Sequence, residues 1–590
     1  MTLNRYPGRW QNLRRFAVAV LLATLHGWAN AQDVVTTVVS KANALGGTTL
    51  STFGYDPTGA NGGTIYTAGF GAGAEIRRIA NVGGTQVVTP LAALTEWTLF
   101  LKNGDPNNGG GSPVVGGFLL NPVAIGSQPA YSLAVISDGG GAVTVSSGRR
   151  NDLTQRLYSY NVATGTGPFA SLVTQAELAS ASGLANPVTT GSSSNFSRQF
   201  AYSGDGQAIY IIDTSTAYGG LYRADVAAGT VGRLFADSSL NTEVAVLSSS
   251  GTDTIFFNGS QATNNVGGID KVVFNGTVSS RTVHVPAATL ADFMESGTSG
   301  IGNTAMAAGP GGELYFNNTL SSPDRRGIYK IDPQGRLSKV VTRDERAATL
   351  GIANPTANTL RMQPRTVQHP NGFEVAQVMY VESGTASLIA GAYDFKVGDF
   401  DRDDDVDLND LSLLRSVVGV RGAAIGSGSY KFDLNGNNAV DWKDVKILQT
   451  FLPALRDGDA NMDLAIDLLD LNIVRDNYHT MASGTGGKTW ATGDFASMDP
   501  LATTYAANAA DANIVDLVDL QVLANTWLNV RRQPTLTFAD LDANGYTGTF
   551  RQDVITVFAV PEPSTIAIGI AALSVGAGMR LARRKRPSST

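Results

Sequence analysis

The sequence predicts a mainly β N-terminal domain, followed by small helical modules that are built around acidic loops. Two observations predict this order. Between residues 33 and 395, short apolar runs are separated by Gly, Asn, Asp and Ser, which is typical of strands and tight turns. After residue 396, acidic twelve-residue segments are each followed by a helical apolar pattern. The 590 residues are enough for several domains, and the 67 glycines suit a turn-rich β protein.

Composition excludes some classes of function. The formal net charge is −7, and no basic patch is interleaved with aromatic residues, so we expect no nucleic-acid partner. The chain has no cysteine. An exported protein of this composition must be stabilised by its core, and here by bound metal, rather than by disulfides.

Residues 1–31 have the pattern of a signal peptide. Arg5, Arg9, Arg14 and Arg15 give a positive start, residues 16–25 are apolar, and small residues at 29 and 31 flank a cleavage site. An N-terminal membrane anchor is the alternative, but about ten apolar residues are too few to span a bilayer, which takes about 20. The sequence therefore predicts export.

Residues 32–395 contain a repeated strand pattern. Its clearest unit covers residues 205–213, 219–225 and 230–234, which alternate between apolar strand and polar turn. The same pattern recurs at residues 311–316 with 327–332, 253–257 with 268–272, 142–145 with 157–160, and 64–66 with 76–79. Repeats of a few tens of residues, each forming a small antiparallel sheet, predict a β-propeller of about six or seven blades. A β-sandwich or a solenoid is the alternative.

These units resemble the blades of bacterial propellers of the sugar-lactonase and NHL kind. Because propeller blades bury their faces against each other, we expect this domain to fold without the C-terminal modules. Residues 176–186 and 287–296 do not fit the strand pattern, and we expect short helices or loops there.

The first acidic loop begins at residue 399 and contains seven aspartates in twelve residues. Such a loop repels itself unless a cation is bound. Calcium loops place oxygen ligands at positions 1, 3 and 5, a carbonyl at position 7, a further ligand at position 9 and a closing carboxylate at position 12. Positions 1, 3, 5, 9 and 12 are Asp399, Asp401, Asp403, Asp407 and Asp410. The pattern predicts a Ca²⁺ site.

The same spacing recurs along the chain, which is more specific than one match. The second set is Asp433, Asn435, Asn437, Asp441 and Asp444, and the third is Asp459, Asn461, Asp463, Asp467 and Asp470. A fourth copy, Asp511, Asn513, Asp516 and Asp519, has its opening half displaced to residues 493–495, and a fifth, at 540–545, has Arg551 in place of the closing carboxylate. Position 6 requires a positive φ, which Leu464 in the third loop adopts poorly, so we expect the first and second loops to bind Ca²⁺ more tightly than the third.

Residues 399–414 with 433–448 resemble a type I dockerin, in which two calcium loops are each followed by one helix. Residues 459–519 resemble the second such pair of exported planctomycete proteins. The resemblance implies modules at 396–455 and 456–530, the second partly degenerate, and a degenerate calcium-loop segment or linker at 531–560. In dockerins the helix faces bind a cohesin, so the resemblance implies a cohesin-like partner.

The C-terminus carries a second signal. Pro561, Glu562 and Pro563 precede an apolar run at residues 566–579 and a basic cluster that starts at Arg580. Residues 561–586 resemble a PEP-CTERM sorting signal with a transmembrane helix. The resemblance implies that the inner membrane holds the tail transiently, until an exosortase-type protease releases the protein to the cell surface or extracellular matrix. A permanent single-span anchor is the alternative, although the run spans only about 21 Å.

Catalytic motifs are missing from the sequence. We find no nucleophile elbow, zinc motif or phosphate loop, and His284, His369 and His479 are far apart. Carboxylates near strand starts could face a propeller channel, but Asp before Gly is also an ordinary turn residue. These carboxylates are Glu75, Asp138, Asp205, Asp253 and Glu313.

Three functions remain. The first, which we predict, is a non-catalytic exported surface or matrix protein whose propeller is a binding domain, with an extracellular polysaccharide as a candidate ligand. The second is a dockerin-bearing hydrolase or lyase that takes part in polysaccharide catabolism. The third is a scaffold component that docks to a cohesin-like protein.

Overall fold

A computed structural model gives the architecture. It describes residues 35–44, 49–57, 63–70, 75–82, 85–93, 114–120, 133–138, 156–160, 170–173, 177, 180–183, 196–213, 219–225, 228–240, 244–293, 305–318, 327–352, 359–382, 388–418, 430–436, 439–479, 490–494, 515–529, 535–558 and 560. The predicted signal peptide and sorting signal both lie outside these residues.

The described residues form 24 strands in six antiparallel sheets of four strands each. The strands are β1 (Val35–Val39), β2 (Thr49–Asp56), β3 (Thr64–Phe70), β4 (Glu75–Val82), β5 (Thr85–Ala93), β6 (Val114–Leu120), β7 (Leu133–Asp138), β8 (Arg156–Tyr160), β9 (Ala170–Val173), β10 (Phe196–Tyr202), β11 (Ala208–Asp213), β12 (Gly220–Asp225), β13 (Thr230–Ala236), β14 (Val244–Ser249), β15 (Thr252–Asn258), β16 (Ile269–Phe274), β17 (Thr282–Val285), β18 (Met306–Ala308), β19 (Leu314–Asn318), β20 (Gly327–Ile331), β21 (Leu337–Thr342), β22 (Thr359–Gln368), β23 (Glu374–Glu382) and β24 (Leu388–Asp394).

The sheets are arranged in a closed ring. Five of them take four consecutive strands each, from β2–β5 to β18–β21. The first strands of neighbouring sheets contact each other around the ring, and β22 contacts β2 to close it. The sixth sheet has the order β1-β24-β23-β22, so the N-terminal strand completes the last blade, with Val35 opposite Ala392. The predicted β-propeller is confirmed, and ring closure excludes the sandwich and the solenoid.

The unit at residues 205–234 shows how the sequence builds a blade. Gly206 has a φ of 67° in the turn before β11, a conformation that glycine adopts without steric cost. Tyr210 and Ile212 of β11 are buried together with Phe257 of the next sheet. Apolar residues that alternate along one strand therefore pack against the neighbouring blade.

Most of the predicted strand pairs are confirmed. Residues 64–66 with 76–79, 253–257 with 268–272, and 311–316 with 327–332 fall on neighbouring strands. Residues 157–160 lie on β8, which pairs with β7 and β9. Residues 142–145 lie outside the described residues, so the repeat predicted there stays a prediction.

The helices of the described residues lie mostly after the propeller. They are α1 (Lys41–Ala44), α2 (Ala287–Phe293), α3 (Arg343–Leu350), α4 (Leu408–Val417), α5 (Trp442–Phe451), α6 (Leu468–Asn477), α7 (Leu517–Asn529), α8 (Phe538–Ala543) and α9 (Gly548–Val557). Helix α2 confirms the expectation for residues 287–296. Within the described part of the chain, none of these helices has the length and apolar character needed to cross a membrane.

The propeller and the C-terminal helices share one hydrophobic core. Phe316 and Tyr329 of the fifth sheet belong to the same buried cluster as Phe400, Phe432 and Leu448 of the modules. Polar contacts join the two parts as well, since Nη1 of Arg336 donates to the Thr450 carbonyl at 3.0 Å. The expectation that the blades pack only against each other is therefore wrong. Phe316 lies on β19 and Tyr329 on β20, the inner strands of the fifth sheet, and packing against the modules removes these side chains from water.

Candidate metal centre

The first acidic loop connects β24 to α4 and folds around two buried carboxylates, Asp399 and Asp410. Asp399 is only 5% exposed. Its Oδ1 accepts the backbone N–H of Asp403, and its Oδ2 accepts that of Asp404, both at 3.1 Å. These two bonds bend residues 399–404 into a tight turn, with the side chain at position 1 inside it.

The carboxylates of the first loop converge. One oxygen each from Asp399, Asp401 and Asp403 lies within 4.8 Å of the other two, and Asp405, Asp407 and Asp410 form a second such group. Partial desolvation within the loop, followed by the charges of Asp410, Asp403 and Asp399, raises the pKa of Asp401 to about 6 although its side chain is exposed. Burial also raises the pKa of Asp399. The loop therefore concentrates negative charge that a bound cation would stabilise.

Positions 9 and 12 have a second role, which sequence analysis missed. Asp407 is the N-cap of α4 and accepts the N–H of Asn409 at 2.6 Å. Asp410 accepts from the N–H groups of Asp407 at 2.9 Å and Phe400 at 2.6 Å. The same capping box joins Asp441 to Asp444, and Asp467 to Asp470. The sequence does contain the pattern of a capping box, which is an N-cap aspartate followed three residues later by a second acidic residue at the start of a helical apolar pattern. These carboxylates therefore stabilise helix starts with or without metal.

The third loop repeats the geometry of the first. Asp459 is fully buried and accepts the N–H of Asp463 at 3.1 Å and of Leu464 at 2.9 Å. Burial, then the charge of Asp470, raises the pKa of Asp459 to about 7. Burial likewise raises the pKa of Asp470 to about 6. Asn461, at position 3, donates to Oδ2 of Asp463 at 2.9 Å.

The backbone of these loops is left-handed where the motif requires it. At position 6, Asp404 has a φ of 78° and Leu464 a φ of 68°, as the sequence predicts. Position 4 is also left-handed, with φ of 62° at Arg402 and 54° at Met462, and this was not predicted. Asn438, at position 6 of the second loop, lies outside the described residues.

The second loop differs because the propeller supplies a cation to it. Asp433 and Asn435 are buried, and Asp433 accepts the N–H of Gly436 at 2.7 Å. Lys339 of β21 lies beside the loop and donates to Glu345 at 2.8 Å. Burial alone would lower the pKa of Lys339, but the carboxylates Glu345, Asp433 and Asp444 outweigh it and raise that pKa. Asn437 lies outside the described residues.

The fourth loop retains parts of the motif. Gly493, with a φ of 88°, and the buried Asp494 repeat Gly458 and Asp459 of the third loop. The indole Nε1 of Trp490 donates to the Asp459 carbonyl at 2.6 Å, which ties the two loops together. Asp519 accepts the N–H of Asp516 at 2.8 Å. Asp511, Asn513 and residue 495 lie outside the described residues.

The fifth copy does not have the geometry of a loop. Asp540 and Asp542 lie in helix α8, where Asp540 forms a capping box with Thr537. Asp542 pairs with Arg551 at 2.8 Å. These carboxylates stabilise helices in the described residues 535–558.

The donor set of the first loop suits calcium best. Its converging groups are all carboxylate oxygens, the ligands that hard cations such as Ca²⁺ prefer. The third loop has Asp459, Asn461 and Asp463 at the same positions, and the Asp463 N–H donates to Asp459 as the Asp403 N–H does to Asp399. The second loop shares a neutral Asn at position 3 with the third but also has the buried Lys339 beside it. Against the sequence expectation, we therefore infer that it suits a divalent cation less well than the third.

The propeller carboxylates are engaged in turns and ring contacts. Asp205 accepts the N–H of Gln207 at 2.9 Å, and Glu313 accepts that of Gly311 at 3.0 Å. The Tyr210 hydroxyl donates to Asp253 at 2.7 Å. The side chains of Glu75 and Asp138 lie outside the described residues. His369 is buried against the rings of Phe373, Tyr393 and Phe395.

No protein-family model matches the chain, and no curated protein does. Solved structures with a similar arrangement include a xyloglucanase from Xanthomonas campestris, with a TM-score of 0.31 and 13% identity over 59% of this chain and 47% of that one. This chain thus spans about half the length of the xyloglucanase. A second is an alpha-L-arabinanase from Penicillium chrysogenum, with a TM-score of 0.36 and 10% identity over 61% of this chain and 97% of that one. A third is an alpha-L-arabinofuranosidase from Fusarium graminearum, with a TM-score of 0.36 and 8% identity over 62% of this chain and 98% of that one.

Proposed function

We propose that this chain is a non-catalytic exported binding protein of the cell surface or extracellular matrix, in which Ca²⁺ stabilises the modules that follow the propeller. The observation that carries the proposal is the convergence of Asp399, Asp401 and Asp403, in a turn whose hydrogen bonds recur around Asp459.

Each residue of the first loop has a distinct part in this function. Asp399 holds the turn through its two hydrogen bonds and keeps lone pairs for a cation. Asp401 and Asp403 are exposed and add carboxylate oxygens, whereas Asp405 at position 7 would contribute its carbonyl. Calcium supplies positive charge when bound, so metal binding and folding of the modules are linked.

The export and sorting steps are part of the same proposal. Residues 1–31 direct export, and Pro561, Glu562 and Pro563 mark the tail for an exosortase-type protease. The intact mass of the surface form should therefore lack both segments. A retained tail would favour a permanent anchor instead.

Calorimetry with calcium on the full chain tests the metal sites. Asp401→Asn should weaken the tightest site by about tenfold or more, because one charged ligand oxygen is lost. Asp404→Asn is the matched control, since it removes one charge from the same loop at position 6, which supplies no ligand, and Asn tolerates the positive φ there. It should change the affinity by less than about threefold. If both variants bind calcium like the wild type, the calcium proposal for this loop fails.

A hydrolysis screen tests the non-catalytic part separately. The full chain, loaded with calcium, is incubated with neutral and acidic polysaccharides, and new reducing ends are measured. We expect none above the buffer control. Cleavage that persists through purification would favour the polysaccharide-active enzyme.

A further inference from the structure

A cavity lies where the ring closes, between the sixth sheet and the first. Its volume is about 480 Å³, inside the range of about 300–1,000 Å³ typical of small-ligand sites. The residues that matter for its chemistry are Thr36, Tyr55, Asn81, Arg365, Gln377 and Tyr393. They come from both chain ends of the propeller, so the cavity exists only when β1 completes the last blade.

Arg365 is the charged residue of this cavity. Its Nε and Nη2 donate to the Gln377 amide oxygen at 2.9 and 2.6 Å, and its guanidinium carbon lies 5.3 Å from the Tyr55 ring centre. No acidic residue of the described chain lines the cavity or pairs with Arg365. Burial lowers the pKa of Arg365. A desolvated cation with neutral partners gains from an incoming anion.

Two glycines keep the walls of the cavity in place. A Cβ at Gly63, whose φ is 90°, would lie 2.3 Å from Cε2 of Tyr55. A Cβ at Gly391 would lie 2.4 Å from Cδ of Gln377. The side chains of Tyr55 and Gln377 can therefore take these orientations only because residues 63 and 391 are glycines. Gln377 is fixed further by its own donation to the Thr36 hydroxyl at 3.2 Å.

The rest of the lining suits a polyhydroxylated ring. Oδ1 of Asn81 is buried and has no hydrogen-bond partner among the described residues, and such groups are satisfied by a ligand or water. Tyr55 and Tyr393 add aromatic surface, which ligand sites use for the apolar face of a ring. Thr36 and Asn81 provide short polar groups at the same cavity.

We propose that this cavity binds a sugar that carries a carboxylate, such as a uronate unit of an acidic polysaccharide. The guanidinium of Arg365 recognises the carboxylate, because a planar guanidinium can donate two parallel hydrogen bonds to the two oxygens of a carboxylate. The tyrosines cover the ring, and Asn81 accepts from a hydroxyl. The proposal names a ligand class for the propeller and does not depend on the calcium loops.

Binding of three small probes to the full chain separates the components of this recognition. Calorimetry should give a Kd of about 1 mM or tighter for glucuronate. Glucose, which lacks the charge, should bind at least about tenfold more weakly, and acetate, which lacks the ring, should do the same. If glucuronate and glucose bind equally, carboxylate recognition is wrong. If acetate equals glucuronate, the site is a simple anion site, and no binding of glucuronate overturns the proposal.

Two variants of cavity residues test whether glucuronate binds in this cavity. Arg365→Gln should weaken glucuronate binding by about tenfold or more, whereas Arg415→Gln, the same change on the exposed face of α4, should leave it unchanged. Asn81→Asp adds a negative charge to the cavity and should weaken glucuronate but not glucose. Thermal melts confirm folding of each variant. Wild-type affinity in both folded cavity variants would overturn the assignment.

Discussion

The first and second acidic loops share a ligand spacing but balance their charge differently. The first loop has seven Asp and one Arg in twelve residues, and the second has three Asp and one Lys. Asp401 and Asp403 of the first loop are exposed to solvent. Asp433 and Asn435 of the second are buried where the loop meets the fifth sheet. The motif alone therefore does not decide whether a loop needs a metal.

The lysines beside the two loops differ in how deeply they are buried. Lys339, whose side chain is 7% exposed, pairs with Glu345 and lies beside Asp433 and Asp444. Near the first loop, Lys396 pairs with Asp404 at 2.8 Å, but its side chain is 57% exposed. The half-buried Lys431 donates to the Phe400 carbonyl of the same loop, and burial lowers the pKa of Lys431 to about 8. An exposed pair is screened by water, whereas a buried cation balances nearby carboxylates strongly. We infer that the second loop attaches the modules to the propeller, and the first binds calcium from solution.

The largest effect is expected from removing the buried cation. Lys339→Met should destabilise the full chain by about 3–5 kcal/mol, because Glu345, Asp433 and Asp444 lose their partner. Lys396→Met is the matched control at the first loop and should cost less than about 1 kcal/mol. Urea unfolding in calcium measures both. Equal costs would show that the two loops do not differ in this way.

A smaller and local effect should follow calcium removal. A ligand at 100 times its Kd stabilises the bound state by about 2.7 kcal/mol, so hydrogen exchange in α4 should speed up by about a hundredfold in chelator. Helix α5, which follows the second loop, should change much less. The experiment is hydrogen exchange with mass analysis, with and without chelator. Equal acceleration in the two helices would contradict the comparison.

The parts that the sequence predicted are those that local pattern controls. Strand alternation and turn glycines located β11, β12, β19 and β20, and ligand spacing predicted the positive φ of Asp404 and Leu464. The capping boxes were also readable, because Asp407 and Asp410 stand at fixed spacing before α4. The dual role of these residues was missed because a calcium pattern and a capping pattern share the same aspartates.

The parts that it did not predict depend on contacts between distant segments. Lys339 reaches the second loop only because the fifth sheet packs against the modules. Arg365 and Thr36 share a cavity only because β1 pairs with β24. Neither contact leaves a periodic or compositional signal in either segment. Both contacts form only when the chain is folded, one when the fifth sheet packs against the modules and the other when the propeller ring closes.

The smallest effect concerns the strained residue of the third loop. Leu464 has a φ of 68° and is 36% exposed, and the left-handed conformation costs an L-residue about 1–2 kcal/mol. Leu464→Gly removes this cost but adds about 0.5–1 kcal/mol of chain entropy in the unfolded state. We expect a net gain of about 0.5 kcal/mol. Asp404→Gly at the same position of the first loop should give no gain, because Asp tolerates this conformation and its pair with Lys396 is lost. Urea midpoints in calcium compare the two variants, and a gain for Asp404→Gly equal to that for Leu464→Gly would show that side-chain strain does not separate the loops.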